Sequence, residues 1–104
     1  MTDFPHPAVD ELDLTAVLFA LSDPARLDIV RQLAGSAAET TCQAVALDMP
    51  KSTRSHHLRV LREAGVVRTE PRGRERLLTL RGDDLDSRWP GLHGAVVAAE
   101  AANT

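Results

Sequence analysis

The sequence predicts a mainly α-helical domain with one small β-hairpin, and three observations carry that prediction. Apolar residues recur at helical spacing, as at Leu58, Leu61 and Ala64. Two strand-like runs, Val66-Val67-Arg68-Thr69-Glu70 and Glu75-Arg76-Leu77-Leu78-Thr79-Leu80, flank the turn formers of Pro71-Arg72-Gly73-Arg74. The length of 104 residues suits one domain, which buries about sixty per cent of the surface its unfolded chain exposes.

The elements follow in order. Residues 1–8 begin Met-Thr-Asp-Phe-Pro-His-Pro, acidic and Pro-broken, and read as a flexible N-terminus unlike a signal peptide. A first helix is expected over residues 9–21, where Val9, Leu12, Val17 and Leu21 form an uneven stripe. Asp10 and Glu11 stand near its positive dipole end. Ser22-Asp23-Pro24 restarts the chain with a capping side chain and a proline at the first helical position. The second helix turns Leu27, Val30, Leu33 and Ala34 inward and ends at Gly35. Ser36 to Thr40 reads as a loop, and a short third helix is expected from about Thr41 to Leu47, with Ala44 and Leu47 inward. Asp48-Met49-Pro50 makes the turn into a fourth helix that Gly65 stops. After the hairpin, Gly82-Asp83-Asp84 starts a helical turn through Arg88. Pro90 begins a last helix that carries Leu92, Val96, Val97 and the alanines to Ala102.

The fourth helix has two faces. Leu58, Leu61 and Ala64 form the packing side, while Ser52, Ser55, His56, Arg59 and Arg62 fall opposite. Small polar side chains near the helix start let a backbone approach base edges, and arginines further along meet phosphate. A hairpin with two arginines at its tip directly after such a helix is the layout of a winged helix-turn-helix. On this reading residues 41–65 are the helix-turn-helix and 66–81 the wing. The net charge of −3 conceals an asymmetry. Nine of the twelve Lys and Arg lie between Lys51 and Arg81, beside only Glu63, Glu70 and Glu75, whereas the rest of the chain holds twelve acids. A basic block within an acidic protein is the footprint of a nucleic-acid face.

Other classes are excluded or disfavoured. Cys42 is the only cysteine, so no internal disulfide forms, and a reducing compartment is expected. No apolar run approaches the roughly twenty residues that span a bilayer, so a cytoplasmic protein with no membrane partner is expected. Ser55 and His56 diverge as helix neighbours and make no nucleophile pair. No Gly-rich phosphate loop or paired-carboxylate cleft appears, and no enzyme is expected. Eleven arginines against one lysine, with many alanines, point to a GC-rich bacterial genome.

Leu21-Ser22-Asp23-Pro24-Ala25-Arg26-Leu27-Asp28-Ile29-Val30 and the run from Lys51 through Ser55-His56-His57-Leu58 to Leu61-Arg62-Glu63-Ala64-Gly65-Val66-Val67 resemble the ArsR family of bacterial winged-helix repressors. The resemblance covers roughly residues 12–100. It implies a homodimer, with dimerisation helices at 9–21 and 90–102, that binds double-stranded DNA. It implies repression at an inverted-repeat operator, relieved by a signal. By matching positions it places Lys51, Ser52, Ser55 and His56 at base edges, with Arg54 adding a contact or facing solvent. Arg59 and Arg62 then serve phosphate, and Arg72 and Arg74 the wing contact. Relatives sense metals through a cysteine run, which here reads about Glu39-Thr40-Thr41, or through paired acid and His ligands on the last helix. This chain offers Asp84, Asp86, His93 and Glu100, and neither site is complete. No cofactor is therefore expected. For a transition metal such as Ni or Zn, His93 and Glu100 are the first residues to suspect, with His6 as helper. Cys42 reads as a small buried cysteine rather than a redox switch. With no complete sensor site, the alternative is a partner-dependent accessory regulator, or a winged helix used for protein contacts, with a sensory partner protein.

Overall fold

The computed structural model describes residues 6–35, 40–45 and 48–102. A 3-10 turn at Val9–Glu11 precedes α1 (Leu14–Ala20) and α2 (Pro24–Gly35). Then come β1 (Thr40–Thr41), a 3-10 turn at Cys42–Ala44, α3 (Lys51–Ala64), β2 (Val67–Arg72) and β3 (Glu75–Leu80). Two helices, α4 (Gly82–Arg88) and α5 (Leu92–Ala102), complete the domain. This is the mainly helical, winged helix-turn-helix architecture expected.

The helix expected over 9–21 is two pieces. Leu12 is extended, and Asp13 caps α1 by accepting the Ala16 N–H at 3.0 Å and the Thr15 hydroxyl at 2.5 Å. Those two bonds, the Thr15 bond foremost, hold the Asp13 carboxyl below its ordinary range. The apolar stripe missed the break because a short carboxylate offers the backbone a partner outside the helix. Asp23 caps α2 as expected, accepting from Ala25 N at 2.8 Å and Arg26 N at 3.3 Å. Burial works to raise its pKa, but the two N–H groups outweigh it and the carboxyl titrates low.

The strands form one antiparallel sheet in the order β1-β3-β2. The wing runs in register from Val67↔Leu80 to Arg72↔Glu75, with Gly73 at φ 61 in the turn. The expected loop and third helix are corrected at their junction. Thr40 and Thr41 pair with Leu78 and Leu77, and among the described residues up to Pro50 one 3-10 turn follows. Ala44 is exposed and Val45 takes the buried position, while Leu47 lies outside the described residues. Two threonines suit a strand, and β3 supplies a partner nearly forty residues away that local periodicity does not see.

The core gathers Val17, Ala20, Ile29, Val30, Leu61, Val66, Val67, Leu78 and Leu85. At the end of α3, Gly65 takes φ 87 and Val66 N donates to Leu61 O at 3.0 Å, closing the helix. The N-terminal segment lies over this corner. His6 Nε2 accepts the Thr69 N–H at 3.0 Å, Pro7 O accepts from Arg81 Nη1 at 2.8 Å, and Val9 O accepts from Arg88 Nη1 at 2.9 Å. Within the stretch expected to be flexible through residue 8, His6 and Pro7 bond to groups distant in sequence; residues 1–5 lie outside the described residues. Arg81 also donates from Nε to Asp84 at 2.9 Å and is buried. Among the described residues no helix is long and apolar enough to cross a membrane.

Candidate nucleic-acid interface

The outer face of α3 is built as its sequence dictates. Leu58, Leu61 and Ala64 are buried beneath, so Lys51, Ser52, Ser55, His56 and Arg59 are exposed, and Arg54 and Arg62 are half-buried at its flank. The wing stands beside this face and encloses an open groove of about 860 Å³. Lys51, Ser52, Arg54, Ser55, His56, Arg59, Arg62 and Arg74 all line it. Eight of the nine expected contact residues therefore share one surface. Arg72 is exposed at the wing end but outside the lining.

Arg76 on β3 also lines the groove and had no assigned role from sequence. The signal was its position: Arg76 follows the wing-tip Arg74 by two residues, just inside β3, and both line the groove. Among the described residues six cations line the groove and no carboxylate does. The basic block is not uniform, however. Arg68 lines a separate cleft behind the sheet and Arg81 is committed to the core.

Cys42 sits half-buried in the groove wall. Burial pushes its thiol pKa up against the opposing pull of Arg76, Arg54 and Arg62, so the thiol stays protonated at neutral pH. His56 and His57 differ in exposure, but their rings do not diverge as expected: they sit in tilted contact with centroids 5.6 Å apart. His56 faces the groove, while His57 is half-buried with Nδ1 3.2 Å from Arg26 Nη1.

The candidate metal ligands are dispersed. His93 packs over Gly82, and its Nδ1 lies 3.4 Å from Asp86, while His6 caps the Thr69 N–H and Asp84 is bound by Arg81. The His93 side chain is only 19% exposed, tucked against Gly82 rather than open to solvent. The Glu100 side chain lies outside the described residues. Among the described residues no group of three or more His, Cys, Asp or Glu is placed to hold a metal.

Similarity to known proteins matches this geometry. A helix-turn-helix domain family matches residues 21–70, which spans α2 through β2. An uncharacterised HTH-type transcriptional regulator of Bacillus subtilis, YceK, is 39% identical over 74 residues, covering 69% of this chain and 74% of that protein. The crystal structure of an ArsR family transcriptional regulator superposes with a TM-score of 0.60 at 24% identity, over 86% of this chain and 84% of that one. The transcriptional repressor BigR from Xylella fastidiosa superposes at 0.61 with 25% identity, over 83% and 84%. The chain belongs to the HTH-type transcriptional regulators, and its fold is that of an ArsR family regulator.

Proposed function

We propose that the protein is a homodimeric repressor that reads an inverted-repeat operator with α3 and the wing and releases it on a signal. The observation that carries this is the groove itself: among the described residues it has six cations, no carboxylate, and serines and a histidine where α3 protrudes. Lys51, Ser52, Ser55 and His56 read base edges, with Arg54 beside them. Arg59 and Arg62 meet phosphate, and Arg72 and Arg74 extend the wing to the neighbouring groove, with Arg76 behind them. Two copies of α3 placed about 34 Å apart by a two-fold axis would make the operator palindromic. Binding by a duplex selected from a randomised pool tests the assignment. Arg74→Ala with Arg76→Ala should weaken binding to every sequence and lower the salt slope by about 0.9 for each lost phosphate contact. An unchanged slope would remove the wing from the interface.

Exposed apolar surface supports the dimer. Leu14, Leu18 and Phe19 on α1 are 39%, 45% and 63% exposed, and α5 presents Ala95, Ala98 and Ala99. Large apolar side chains grouped on one short helix mark a contact surface. Leu18→Glu with Phe19→Glu should give a monomer in sedimentation and abolish tight operator binding, whereas a persistent dimer would place the interface elsewhere. No resident cofactor is needed for this function, and its DNA target puts the protein in the cytoplasm. The engagement of His6 and His93 with Thr69 and Asp86 favours a second possibility, a regulator whose signal arrives through a sensory partner protein.

A further inference from the structure

Arg26 is an unusual residue for a small core. It is 6% exposed, yet among the described residues its three guanidinium nitrogens bond to two carbonyls and an imidazole and to no carboxylate. Nε donates to Ala20 O at 2.6 Å and Nη2 to Phe19 O at 3.2 Å, the carbonyls at the end of α1. The same plane lies 5.3 Å from the centre of the Phe19 ring. A cation at a helix C-terminus complements the dipole, and a guanidinium can serve several acceptors in one plane. Its remaining bond, Nη1 to His57 Nδ1 at 3.2 Å, runs to α3.

That last bond falls where α3 is least supported. No side chain of α3 before Leu58 is buried, and Pro50 at its N-cap provides no side-chain cap. Met49 packs on the core just upstream, but within the helix the first two turns carry the groove-lining Lys51, Ser52, Ser55 and His56 with no apolar anchor. His57 is the side chain through which those turns are tied back to α1 and α2.

We infer that Arg26 and His57 form a positioning pair that fixes the reading end of α3 against the C-terminus of α1. An arginine only donates, so His57 Nδ1 must be the unprotonated acceptor and the ring proton must sit on Nε2. The pair joins the helix with the exposed apolar face to the helix that lines the groove, so a shift of Phe19 and Ala20 carries directly to His56. This assignment rests on α3 being the DNA-reading helix. It adds a residue outside the groove that sets sequence choice without touching DNA.

The test compares His57→Leu and His57→Asn with the unmodified protein on a duplex that the unmodified protein selects from a randomised pool, and on a scrambled duplex. His57→Leu removes the acceptor, while asparagine keeps an oxygen near the Nδ1 position. Preference for the selected duplex should fall about tenfold in His57→Leu, the worth of one base contact, and return in His57→Asn. Salt slopes and scrambled-duplex affinity should remain unchanged in both, since no phosphate contact is lost. Full preference in His57→Leu, or no recovery in His57→Asn, would overturn the pair. Failure of the unmodified protein to select any duplex would instead refute the DNA-reading role of α3. A second measurement needs no variant: imidazole ¹⁵N shifts at pH 7.5 should show His57 as the Nε2–H tautomer. An Nδ1–H tautomer or an imidazolium there would contradict the pair whatever the DNA result, including where His57→Leu does not fold.

Discussion

Gly65→Ala will lower the unfolding free energy by about 3 kcal/mol, seen as an earlier urea midpoint at unchanged slope. Two costs add. Gly65 has φ 87, and an L-residue held in the left-handed region loses roughly 1 kcal/mol or more. The new methyl would also run into Leu12 Cδ2 and approach Pro7 Cγ to 3.1 Å, beneath the N-terminal segment. Overfilling such a site costs about 1–3 kcal/mol. Gly73→Ala separates the two costs. Its φ is 61 but nothing lies within 4 Å, so only the conformational term of about 1 kcal/mol should remain. Equal losses at the two glycines would mean that the segment over Gly65 yields without cost.

Ser55→Ala combined with His56→Ala will leave the protein bound to DNA but poorly able to choose among sequences. Both side chains line the groove at the protruding end of α3 and are exposed. Each lost base contact removes about 1–3 kcal/mol of discrimination, so the ratio between selected and scrambled duplexes should collapse by two to three factors of ten, roughly. The salt slope should hold, because both side chains are assigned to base edges and neither to a phosphate. This pattern is opposite to that of the wing arginines, where affinity falls for all sequences and the slope changes. An intact ratio in the double variant would mean that another face of α3 meets the bases.

What could be read beforehand followed from local rules. Asp23 before Pro24, the apolar spacing through Leu58, Leu61 and Ala64, the stop at Gly65 and the span of β3 all depend on a few neighbouring residues. The groove lining was legible for the same reason: one helical face and one hairpin tip specify most of it. Some of the missed features are settled by distant partners and others by local side-chain choices that apolar spacing and strand propensity do not register. Thr40 and Thr41 become a strand only because β3 is present to pair with them. Asp13 breaks the first helix through Thr15 and Ala16, a local signal that was outweighed by the apolar stripe. Arg81 was counted with the basic block, but Pro7 and Asp84 draw it into the interior. Arg76 lies in a run whose strand propensity does not reveal which face each side chain takes. Arg26, inside a motif quoted for its family likeness, gave no hint that its partner would be His57.

The segment that crosses Gly65 also sets an order of assembly. Its bonds reach from His6, Pro7 and Val9 to Thr69, Arg81 and Arg88, over separations of 63, 74 and 79 residues. Contacts of such length pay their loop-closure entropy before any reward, so they form late. On the ribosome, α1 to α3 will have emerged well before Arg81 and Arg88 can close the corner over the end of α3. The helix that lines the groove is therefore completed only by the last quarter of the chain. A nascent chain halted after the recognition helix will leave Leu12 and Gly65 uncovered, and will be an open, protease-sensitive species rather than a smaller DNA reader.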